Sequence, residues 1–419
     1  MWEMKRMKDR EKKRVIAEKI RVEKIVPGGQ GLGTMKDGRK VFLWNVLEGE
    51  EVEEFEVIKE KTKYLEGVAT KLSKTSERRC APRDEWYLAT SPWQIMNYET
   101  ELAEKREIIA EVFRQEKMEG EVEKIEEVRT DGEEWGYRNK MEYALYWDNV
   151  EEKIFLAFRA RGTHRKIALK PQILRSEGCF SVSGMSSLER PEIAERALKI
   201  VQELNDKHEE ARKYQSLLLR TNQKGEVAGG LQENGKTHPK FENLTDEILG
   251  REYSYSPNGF FQINLPVYEM ALREIMKHVE GEKVLDLYAG VGTIGLSVAG
   301  GRELVLVETN GAAYEEMKKN CEGVSGAKPV LAKSEEALEY IEPEETVIVD
   351  PPRAGCDKRL IEKLIEMKPR KIIYLSCNPA TQARDVRALV EAYEIEKIVP
   401  FNFFPKTPHV ENLVVMRKK

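Results

Sequence analysis

The sequence predicts an α/β protein whose carboxyl-terminal part is a Rossmann-like, doubly wound and mostly parallel sheet of seven strands. Two observations predict this class. From residue 283 onward strand-like and helix-like segments alternate without interruption, and a glycine cluster at 290–295 directly follows the first of these strands. A sheet of this kind binds its ligand at the carboxyl ends of its strands. We therefore expect the functional site at that edge.

The last connection of this region sets the topology. The seven predicted strands are 283–287, 303–308, 328–332, 346–350, 371–376, 393–400 and 411–417. Amphipathic segments fill the gaps between the first six, whereas the last two are joined by the turn-rich stretch PFNFFPKTPH. That stretch is too short and too rich in proline for a crossover helix, so the last strand should be antiparallel. A seven-stranded sheet with a reversed last strand resembles the methyltransferase variant of the doubly wound fold.

Three further regions precede this domain, which we place at 259–419. Residues 1–15 are a charge run and predict a solvated tail. Residues 16–73 contain short strand-like pieces between turn signals and predict a small OB-like β-barrel. Barrels of that size commonly bind oligonucleotides, although a structural spacer also fits. Residues 74–258 mix strands with helices at 97–117 and 191–208 and predict a central α+β domain.

Composition places the chain among soluble globular proteins of about three domains. Of its 419 residues 40% are hydrophobic and 34% are charged, with a net charge of −5. No run approaches the ~20 apolar residues of a membrane-spanning helix, and the amino terminus is too charged for a secretory signal. Five scattered cysteines fit a reducing compartment. We expect a cytoplasmic monomer without membrane partners.

The negative net charge argues at first against a nucleic-acid partner, but it averages over the whole chain. Basic residues are concentrated in the tail and at the start of the barrel region: Lys5, Arg6, Lys8, Arg10, Lys12, Lys13, Arg14, Lys19, Arg21 and Lys24. Binding to RNA needs only one basic face. The sequence therefore allows an RNA partner with a local and salt-sensitive footprint.

The glycine cluster predicts a cofactor site. Gly290, Gly292 and Gly295 match G-x-G-x-x-G at the start of a helix, and Glu308 ends the next strand, where it can accept hydrogen bonds from ribose hydroxyls. The pattern alone fits a nicotinamide dinucleotide or merely a tight packing turn. Asp286, four residues before the first glycine, favours S-adenosylmethionine, because a carboxylate repels a pyrophosphate and attracts a cationic sulfonium and ammonium group.

Two other strand ends carry groups that can perform chemistry. Asp350 precedes Pro351 and Pro352, which form a rigid turn after the fourth strand, and Cys377 follows the fifth strand. An ordinary strand exit and a buried structural cysteine are the alternatives. Because both residues share the edge with Gly290, the arrangement favours Cys377 as a nucleophile.

A thiol and a methyl donor together point to a pyrimidine substrate. Addition of a thiolate to carbon 6 of uracil turns carbon 5 into a nucleophile that can accept the methyl group. A base must then remove the proton from carbon 5. Glu411, at the start of the seventh strand, is the candidate for this base, and His409 is its rival.

Several segments together resemble one known family. Cys377 in SCNPATQARD, Asp350 in DPPRAG and Glu411 in HVE, together with FFQIN at 260–264 and YRNKM at 137–141, are similar to the RNA uracil-5-methyltransferases, which make 5-methyluridine in ribosomal or transfer RNA. The region 16–73 resembles their RNA-binding TRAM domain. The resemblance covers essentially the whole chain.

The resemblance implies roles for individual residues. It makes Cys377 the nucleophile and Glu411 the proton acceptor, and in the family the helix at 97–117 can pack with the catalytic domain. The residues that it implies around the methyl donor and the target base are Gln262, Tyr288, Thr293, Glu308 and Asp350, to which the glycine motif adds Gly290 and Gly292. The expected substrate is ribosomal RNA, namely 23S rRNA, with uridine 54 of transfer RNA as the alternative. A cytosine-5 enzyme, another Rossmann enzyme and a non-enzymatic RNA-binding protein are more distant alternatives.

One departure from the family concerns a metal cluster. Many members hold an iron–sulfur cluster through C-x5-C-G-G-C after the barrel and a later cysteine, whereas this chain has RRCAPRDEWYLATSPWQ, with Cys80 alone. Cys179 is a match for the later ligand, but two cysteines cannot hold a cluster of four ligands. We expect no iron–sulfur cluster and no other metal.

The target base cannot be methylated inside a stack and should be flipped out or lie in a loop. Aromatic and basic side chains are the groups that would stack on bases or contact phosphates, although packing or a solvated surface explains each of them equally well. The candidates are Trp44, Arg138, Lys140, Phe260 and Phe261.

Overall fold

The computed structural model describes residues 14–163, 165–169, 172–176, 179–183, 185–207, 211–238 and 241–419, so the predicted tail at 1–15 lies almost entirely outside the described residues. The chain divides into two compact units. One takes its described residues from Met1–Glu104, Arg159–Ile167 and Lys406–Pro408, and the other from Lys105–Phe158, Ala168–Pro405 and His409–Lys419. None of the described helices is long and apolar enough to cross a membrane.

The first unit is built on a mixed six-stranded sheet. Its strands are β1 (Val15–Arg21), β2 (Lys24–Ile25), β3 (Gly31–Thr34), β4 (Lys40–Trp44), β5 (Glu51–Glu60) and β6 (Tyr64–Lys74). They lie in the order β1-β5-β6-β4-β3-β2, and β4 with β6 is the parallel pair. Alternate side chains, among them Val41, Leu43, Phe55 and Leu65, fill one core, as the period of two along a strand requires. Closure of this sheet into a barrel stays a prediction.

Short helical segments follow β6. They are one turn of α-helix at Tyr87–Thr90 and a 3-10 helix at Pro92–Ile95. Helix α1 (Tyr98–Gln115) agrees with the predicted helix at 97–117 to within two residues, and a 3-10 helix at Glu119–Lys124 comes after it. Ile109 and Phe113 of α1 belong to the core on one face of the carboxyl-terminal sheet.

The middle of the chain contains antiparallel strands and one long helix. The elements are β7 (Lys140–Asp148), β8 (Lys153–Arg159), β9 (Lys166–Ala168), β10 (Gln172–Ser176), β11 (Cys179–Ser183), α2 (Pro191–Asn205), a 3-10 helix at Ala211–Lys213, β12 (Ser216–Thr221), β13 (Val227–Glu233), β14 (Lys236–His238), β15 (Leu244–Ile248) and β16 (Arg251–Tyr255). Within the second unit, β14, β13, β12, β7 and β8 are neighbours in that order. Strands β15 and β16 form a separate hairpin.

The carboxyl-terminal region contains the predicted seven-stranded sheet. Its elements are α3 (Leu265–Met276), β17 (Lys283–Leu287), α4 (Thr293–Val298), β18 (Glu303–Glu308), α5 (Gly311–Asn320), β19 (Ala327–Leu331), β20 (Thr346–Val349), α6 (Lys358–Met367), β21 (Lys371–Ser376), α7 (Pro379–Leu389), β22 (Tyr393–Phe401) and β23 (Glu411–Lys418). The order is β19-β18-β17-β20-β21-β23-β22. The first five strands are parallel, and β23 is antiparallel to both of its neighbours. The predicted reversal of the last strand is confirmed.

One gap in this sheet differs from the prediction. Between β19 and β20 the chain forms two 3-10 turns, Ser334–Glu336 and Leu338–Tyr340, instead of an amphipathic α-helix. The segment is short and runs into Pro343, which limits a regular helix. Ala337 and Ile341 nevertheless pack into the core, so the turns cover the sheet as a helix would.

Both faces of the sheet are covered by apolar cores. Val305 and Val307 of β18 face one core, while Leu304 and Leu306 face the other. When both faces of a strand are buried, polar groups can reach solvent only at the ends of the strand. The carboxyl ends of β17, β18, β20 and β21 therefore form the edge at which a ligand would bind.

Candidate functional site

Strand register brings three of the predicted residues together. Leu287 of β17 pairs with Val307 of β18 and with Val349 of β20. The next residues along these three strands are Tyr288, Glu308 and Asp350. Tyr288, Glu308 and Asp350 therefore lie side by side at the carboxyl edge of the sheet.

The reversed last strand adds Cys377 and Glu411, the predicted nucleophile and the predicted proton acceptor, to this edge. Ser376 of β21 pairs with Asn412 of β23 in antiparallel register. Cys377 and Glu411 are each one residue beyond that pair and therefore face each other across the two strands. Because β21 also neighbours β20, Asp350 lies on the other side of Cys377.

The glycine turn is folded around two carboxylates. The backbone N–H of Gly295 donates to Oδ2 of Asp286 at 2.8 Å, and that of Gly290 donates to Oε2 of Glu308 at 2.8 Å. A side chain at Gly295 would place its Cβ 2.8 Å from Oδ2 of Asp286, which is too close. Gly292 has φ +87° and is the N-cap of α4. The turn thus requires glycine for packing at one position and for a left-handed backbone at another.

Tyr288 leaves β17 with φ +64°. A left-handed backbone in a bulky residue costs roughly 1–3 kcal/mol and persists where the surroundings impose it. Its side chain is half-buried, and burial raises the pKa of the phenol, with a smaller contribution from Cys356. The strain lies at the point where the chain turns from the first strand into the glycine loop.

Asp286 carries an unused acceptor. The residue is fully buried, and its Oδ1 accepts no hydrogen bond from any residue that the structure describes. Burial raises its pKa to about 8, and the charges of Asp350 and Glu308 add to the rise. Burial also raises the pKa of Asp350 to about 7. Two acidic groups held this way fit a cationic ligand, such as the sulfonium and ammonium groups of S-adenosylmethionine, because a positive charge favours their ionised forms.

Cys377 and Glu411 share the same electrostatic environment. Burial raises the pKa of the Cys377 thiol to about 11, and the negative charges of Glu411 and Asp350 raise it further. Glu411 is buried, and burial followed by the charge of Asp350 holds its pKa well above the usual range. In the absence of added positive charge both groups therefore keep their protons at neutral pH.

Arg353 is a site residue that sequence reasoning missed. Its guanidinium interacts with the Cys377 thiol and opposes the rise in pKa of both Cys377 and Glu411. Its Nη2 lies 3.2 Å from Nδ1 of His409, and its backbone carbonyl accepts a hydrogen bond from Nδ2 of Asn378 at 2.8 Å. The sequence DPPR could have predicted this residue, because a cation three residues after Asp350 in a tight turn lies at the same edge of the sheet.

The remaining predicted cofactor residues lie on neighbouring elements. Gln262 is buried in the loop before α3, and its backbone carbonyl accepts hydrogen bonds from Nδ2 of Asn139 and from Arg220. Thr293 is the first residue of α4 and is buried. That the side chains of Gln262 and Thr293 contact the methyl donor stays a prediction.

The predicted stacking groups fall into two classes. Phe260 is 74% exposed and is free to meet a base. Phe261 instead stacks on Tyr255 with ring centroids 3.9 Å apart, and Nζ of Lys140 donates to the carbonyl of Gly259 at 3.0 Å. The ring of Trp44 lies 4.3 Å from the guanidinium of Arg161, both in the first unit. The side chains of Phe261 and Lys140 thus have structural partners. Arg138 is half-buried, and its Nε has no hydrogen-bond partner among the described residues.

The cysteines do not gather within the described part of the chain. Cys80 is exposed, Cys321 and Cys356 are buried, and Cys377 is half-buried. The side chain of Cys179 lies outside the described residues. No group of three or more histidine, cysteine, aspartate or glutamate side chains among the described residues is arranged to hold a metal ion. The expected lack of an iron–sulfur cluster stays a prediction.

Replacing Arg353 by alanine should raise the pKa of Cys377 above about 11, because the guanidinium stabilises the thiolate. The rate at which iodoacetamide alkylates Cys377 at pH 9, followed by mass spectrometry of the peptide, should fall several-fold. Arg359→Ala removes an exposed cation of α6 that pairs with Asp357 and is the matched control. An unchanged alkylation rate in Arg353→Ala would contradict this role.

Comparisons with known proteins agree with this geometry. A family model described as tRNA (Uracil-5-)-methyltransferase matches residues 337–419, which include Asp350, Cys377 and Glu411. Relatives from Bacillus cereus and Staphylococcus aureus, each named an uncharacterized RNA methyltransferase, are 28% identical. The first alignment covers 96% of this chain and 96% of the relative, and the second covers 93% and 96%.

A solved structure is similar over nearly the whole chain. It is the Pyrococcus abyssi tRNA (uracil-54, C5)-methyltransferase in complex with S-adenosyl-L-homocysteine, with 26% identity and a TM-score of 0.67. The match covers 95% of this chain and 100% of that one. The motifs, the residues gathered at the sheet edge and these similarities have a common explanation. They indicate that the chain is an S-adenosylmethionine-dependent RNA (uracil-5-)-methyltransferase.

Proposed function

We propose that this enzyme methylates carbon 5 of a uridine in structured RNA through a covalent adduct with Cys377, and that Glu411 removes the proton from carbon 5. One observation carries the proposal. The antiparallel register of β21 and β23 sets Cys377 opposite Glu411, with Asp350 and Arg353 at the same edge.

Cys377 starts the reaction. Its Sγ adds to carbon 6 of uracil, and the electrons of the 5,6 double bond shift toward carbon 5 and the carbonyl oxygen at carbon 4. The thiol must first lose its proton to water, and Arg353 favours the resulting thiolate. S-adenosylmethionine, when bound, supplies an electrophilic methyl group on a cationic sulfur. A positive charge held by Asp350 would further favour ionisation of the thiol.

Glu411 completes the reaction. It accepts the proton from carbon 5 after methylation, the 5,6 double bond forms again, and Sγ of Cys377 leaves as a thiolate. A carboxylate with a raised pKa is a stronger base than an exposed one, which suits removal of a proton from carbon. His409 lies beside Arg353 and is the rival for this role.

The methyl donor would be held by the residues of the glycine turn and its neighbours. We assign Asp286 and Asp350 to its cationic groups and Glu308 to its ribose, because these carboxylates meet at the sheet edge. Gly290 has φ +58° and no atom within 4 Å of the position of a Cβ, so the ligand can approach the backbone there. The family resemblance adds Gln262, Tyr288, Gly292 and Thr293.

We infer that regions outside the catalytic domain also contact the RNA. We propose a TRAM-like domain at 16–73, a central domain at 74–258 and the catalytic domain at 259–419. The six-stranded sheet β1–β6 supports the first assignment. The exposed ring of Phe260, two residues before Gln262, supports contact with RNA beside the donor.

Transfer RNA is the first substrate to test, with uridine 54 as the first position. The match to the Pyrococcus abyssi enzyme, over 95% of this chain, supports this choice. The sequence-based expectation of 23S rRNA stays a prediction that the same experiment decides.

RNA that contains 5-fluorouridine should form a stable covalent complex with the protein in the presence of S-adenosylmethionine, because fluorine cannot leave carbon 5 as a proton does. We would compare transfer-RNA and 23S rRNA fragments by denaturing gel electrophoresis. Cys377→Ala should abolish the complex, and Cys80→Ala, which changes an exposed cysteine, should retain it. A complex that survives in Cys377→Ala would overturn the mechanism.

Glu411→Gln should trap the enzyme on ordinary RNA, because methylation proceeds while removal of the proton fails. Turnover should fall by roughly 10²- to 10⁴-fold, the usual contribution of a general base. A covalent, methylated complex should then accumulate on denaturing gels. His409→Ala is the paired variant. If it accumulates the complex and Glu411→Gln does not, His409 is the proton acceptor.

Binding of S-adenosylmethionine should tighten as the pH rises from 6 to 8.5. In the free protein the pKa values of Asp286 and Asp350 are about 8 and about 7, and a cationic ligand binds to their ionised forms. Below these values the affinity should fall roughly tenfold per pH unit for each carboxyl that must ionise. Isothermal calorimetry measures this directly. Asp286→Asn keeps an acceptor for the N–H of Gly295 and should bind S-adenosylmethionine more weakly, with a shallower dependence of affinity on pH. If the affinities of the variant and the wild-type protein depend equally on pH, Asp286 does not bind the donor.

A further inference from the structure

A buried arginine of the central sheet holds the loop that carries Gln262. Arg220 lies in β12 and is fully buried. Its Nη2 donates to the backbone carbonyls of Phe261 at 2.5 Å and of Gln262 at 3.2 Å, and its Nη1 donates to that of Gly259 at 3.3 Å. One guanidinium thus binds three carbonyls within four consecutive residues.

Two residues next to each other in sequence reinforce this contact. Nδ2 of Asn139 donates to the carbonyl of Gln262 at 3.1 Å, and Nζ of Lys140 donates to the carbonyls of Asn258 at 3.2 Å and of Gly259 at 3.0 Å. Residues 259–264 belong to no helix or strand. The carbonyls of Gly259, Phe261 and Gln262 therefore take from side chains the hydrogen bonds that a regular element would supply.

The charge of Arg220 is accommodated by its surroundings. The guanidinium lies 4.8 Å from the ring centroid of Tyr255 and 5.5 Å from that of Phe261, which stack on each other. The hydroxyl of Tyr255 donates to Oδ2 of Asp246 at 2.6 Å, so a carboxyl group stands nearby. Burial lowers the pKa of Arg220 to about 10, which leaves it cationic at neutral pH.

A purely structural role does not account for an arginine at this place. Burying a cation costs several kcal/mol, and well-packed apolar residues often stabilise a core as well as buried charges do. What the guanidinium offers instead is a rigid fork of donors, which fixes several acceptors relative to one another. The acceptors here belong to the loop that carries Gln262.

We propose that Arg220 is a positioning residue for the methyl donor, because it fixes the backbone of residues 259–262 and thereby the side chain of Gln262. The inference rests on the proposed function, in which Gln262 contacts the donor. Arg220 thereby connects the central sheet to the donor site. Replacing Arg220 in β12 is expected to weaken binding of the donor even though Arg220 itself does not contact the donor.

Arg220→Lys keeps a cation but cannot reach three carbonyls at once, so it should raise the Kd for S-adenosylmethionine about tenfold, a coupling expected within one hydrogen-bond network. Calorimetry would be run well below the thermal midpoint of each variant. In a Gln262→Ala background the same change should have little further effect on Kd. An unchanged Kd in Arg220→Lys, or additive effects of the two substitutions, would overturn the proposal.

Lys371→Met is the matched control, because Lys371 is also a buried cation but lies at the amino end of β21, away from the donor edge. It should lower the thermal midpoint and leave the Kd unchanged. If Arg220→Lys does not fold, Asn139→Ala in the same cycle with Gln262→Ala decides. It removes the Nδ2 bond to the carbonyl of Gln262 and the contact of Oδ1 with Nη2 of Arg220 at 3.4 Å, but it leaves the guanidinium in place. If the wild-type protein does not bind S-adenosylmethionine, the proposed function is refuted. If the wild-type protein binds it and Arg220→Lys binds it with the same Kd, only this inference is refuted.

Discussion

The carboxyl edge of the sheet concentrates acidic groups where water cannot solvate their charges. Asp286, Asp350 and Glu411 reach it from three strands, and burial is the main cause of the raised pKa of each. The register of the strands prevents these groups from moving apart, because a shift by one residue would move every side chain of a strand into the core on the opposite face. The charge can therefore be relieved only by protons or by a cation that enters the site. This constraint makes the edge selective for a positively charged ligand.

The same constraint links binding of the donor to the chemistry. A positive charge placed near Asp350 favours the ionised forms of the groups whose pKa Asp350 raises, namely Cys377 and Glu411. In the proposed mechanism, a cationic donor would therefore make both groups more reactive. Arg353 contributes a fixed part of this effect, since it opposes the rise in both pKa values. In the free protein a largely protonated thiol is also protected from oxidation and alkylation.

How much the sequence predicts depends on whether the interactions are local. Strands β17, β18, β20 and β21 are short, largely apolar runs buried on both faces, and the proline-rich connection marks the reversal of the last strand, so both features were predictable. Strands β1 and β3 have a weaker pattern, because β1 contains three charged residues among its seven and β3 contains two glycines among its four. Cys377, Asp350 and Glu411 stand in recognisable motifs. Arg220 does not, because its partners lie about forty residues away and β12 reads as an apolar run.

The glycine motif shows how local geometry separates two cofactors that one pattern allows. In a dinucleotide site the free N–H groups in the first turn of the helix after the first strand bind a pyrophosphate. Here the N–H of Gly295, the third residue of α4, donates to Asp286, and the missing side chain of Gly295 is what lets this carboxylate approach. The protein's own anion thus occupies the position of the phosphate. Its second oxygen, Oδ1, has no partner among the described residues and remains for a cationic ligand. Asp286, the residue that made a dinucleotide unfavourable in the sequence, therefore also takes up the N–H group that a dinucleotide phosphate would need in the structure.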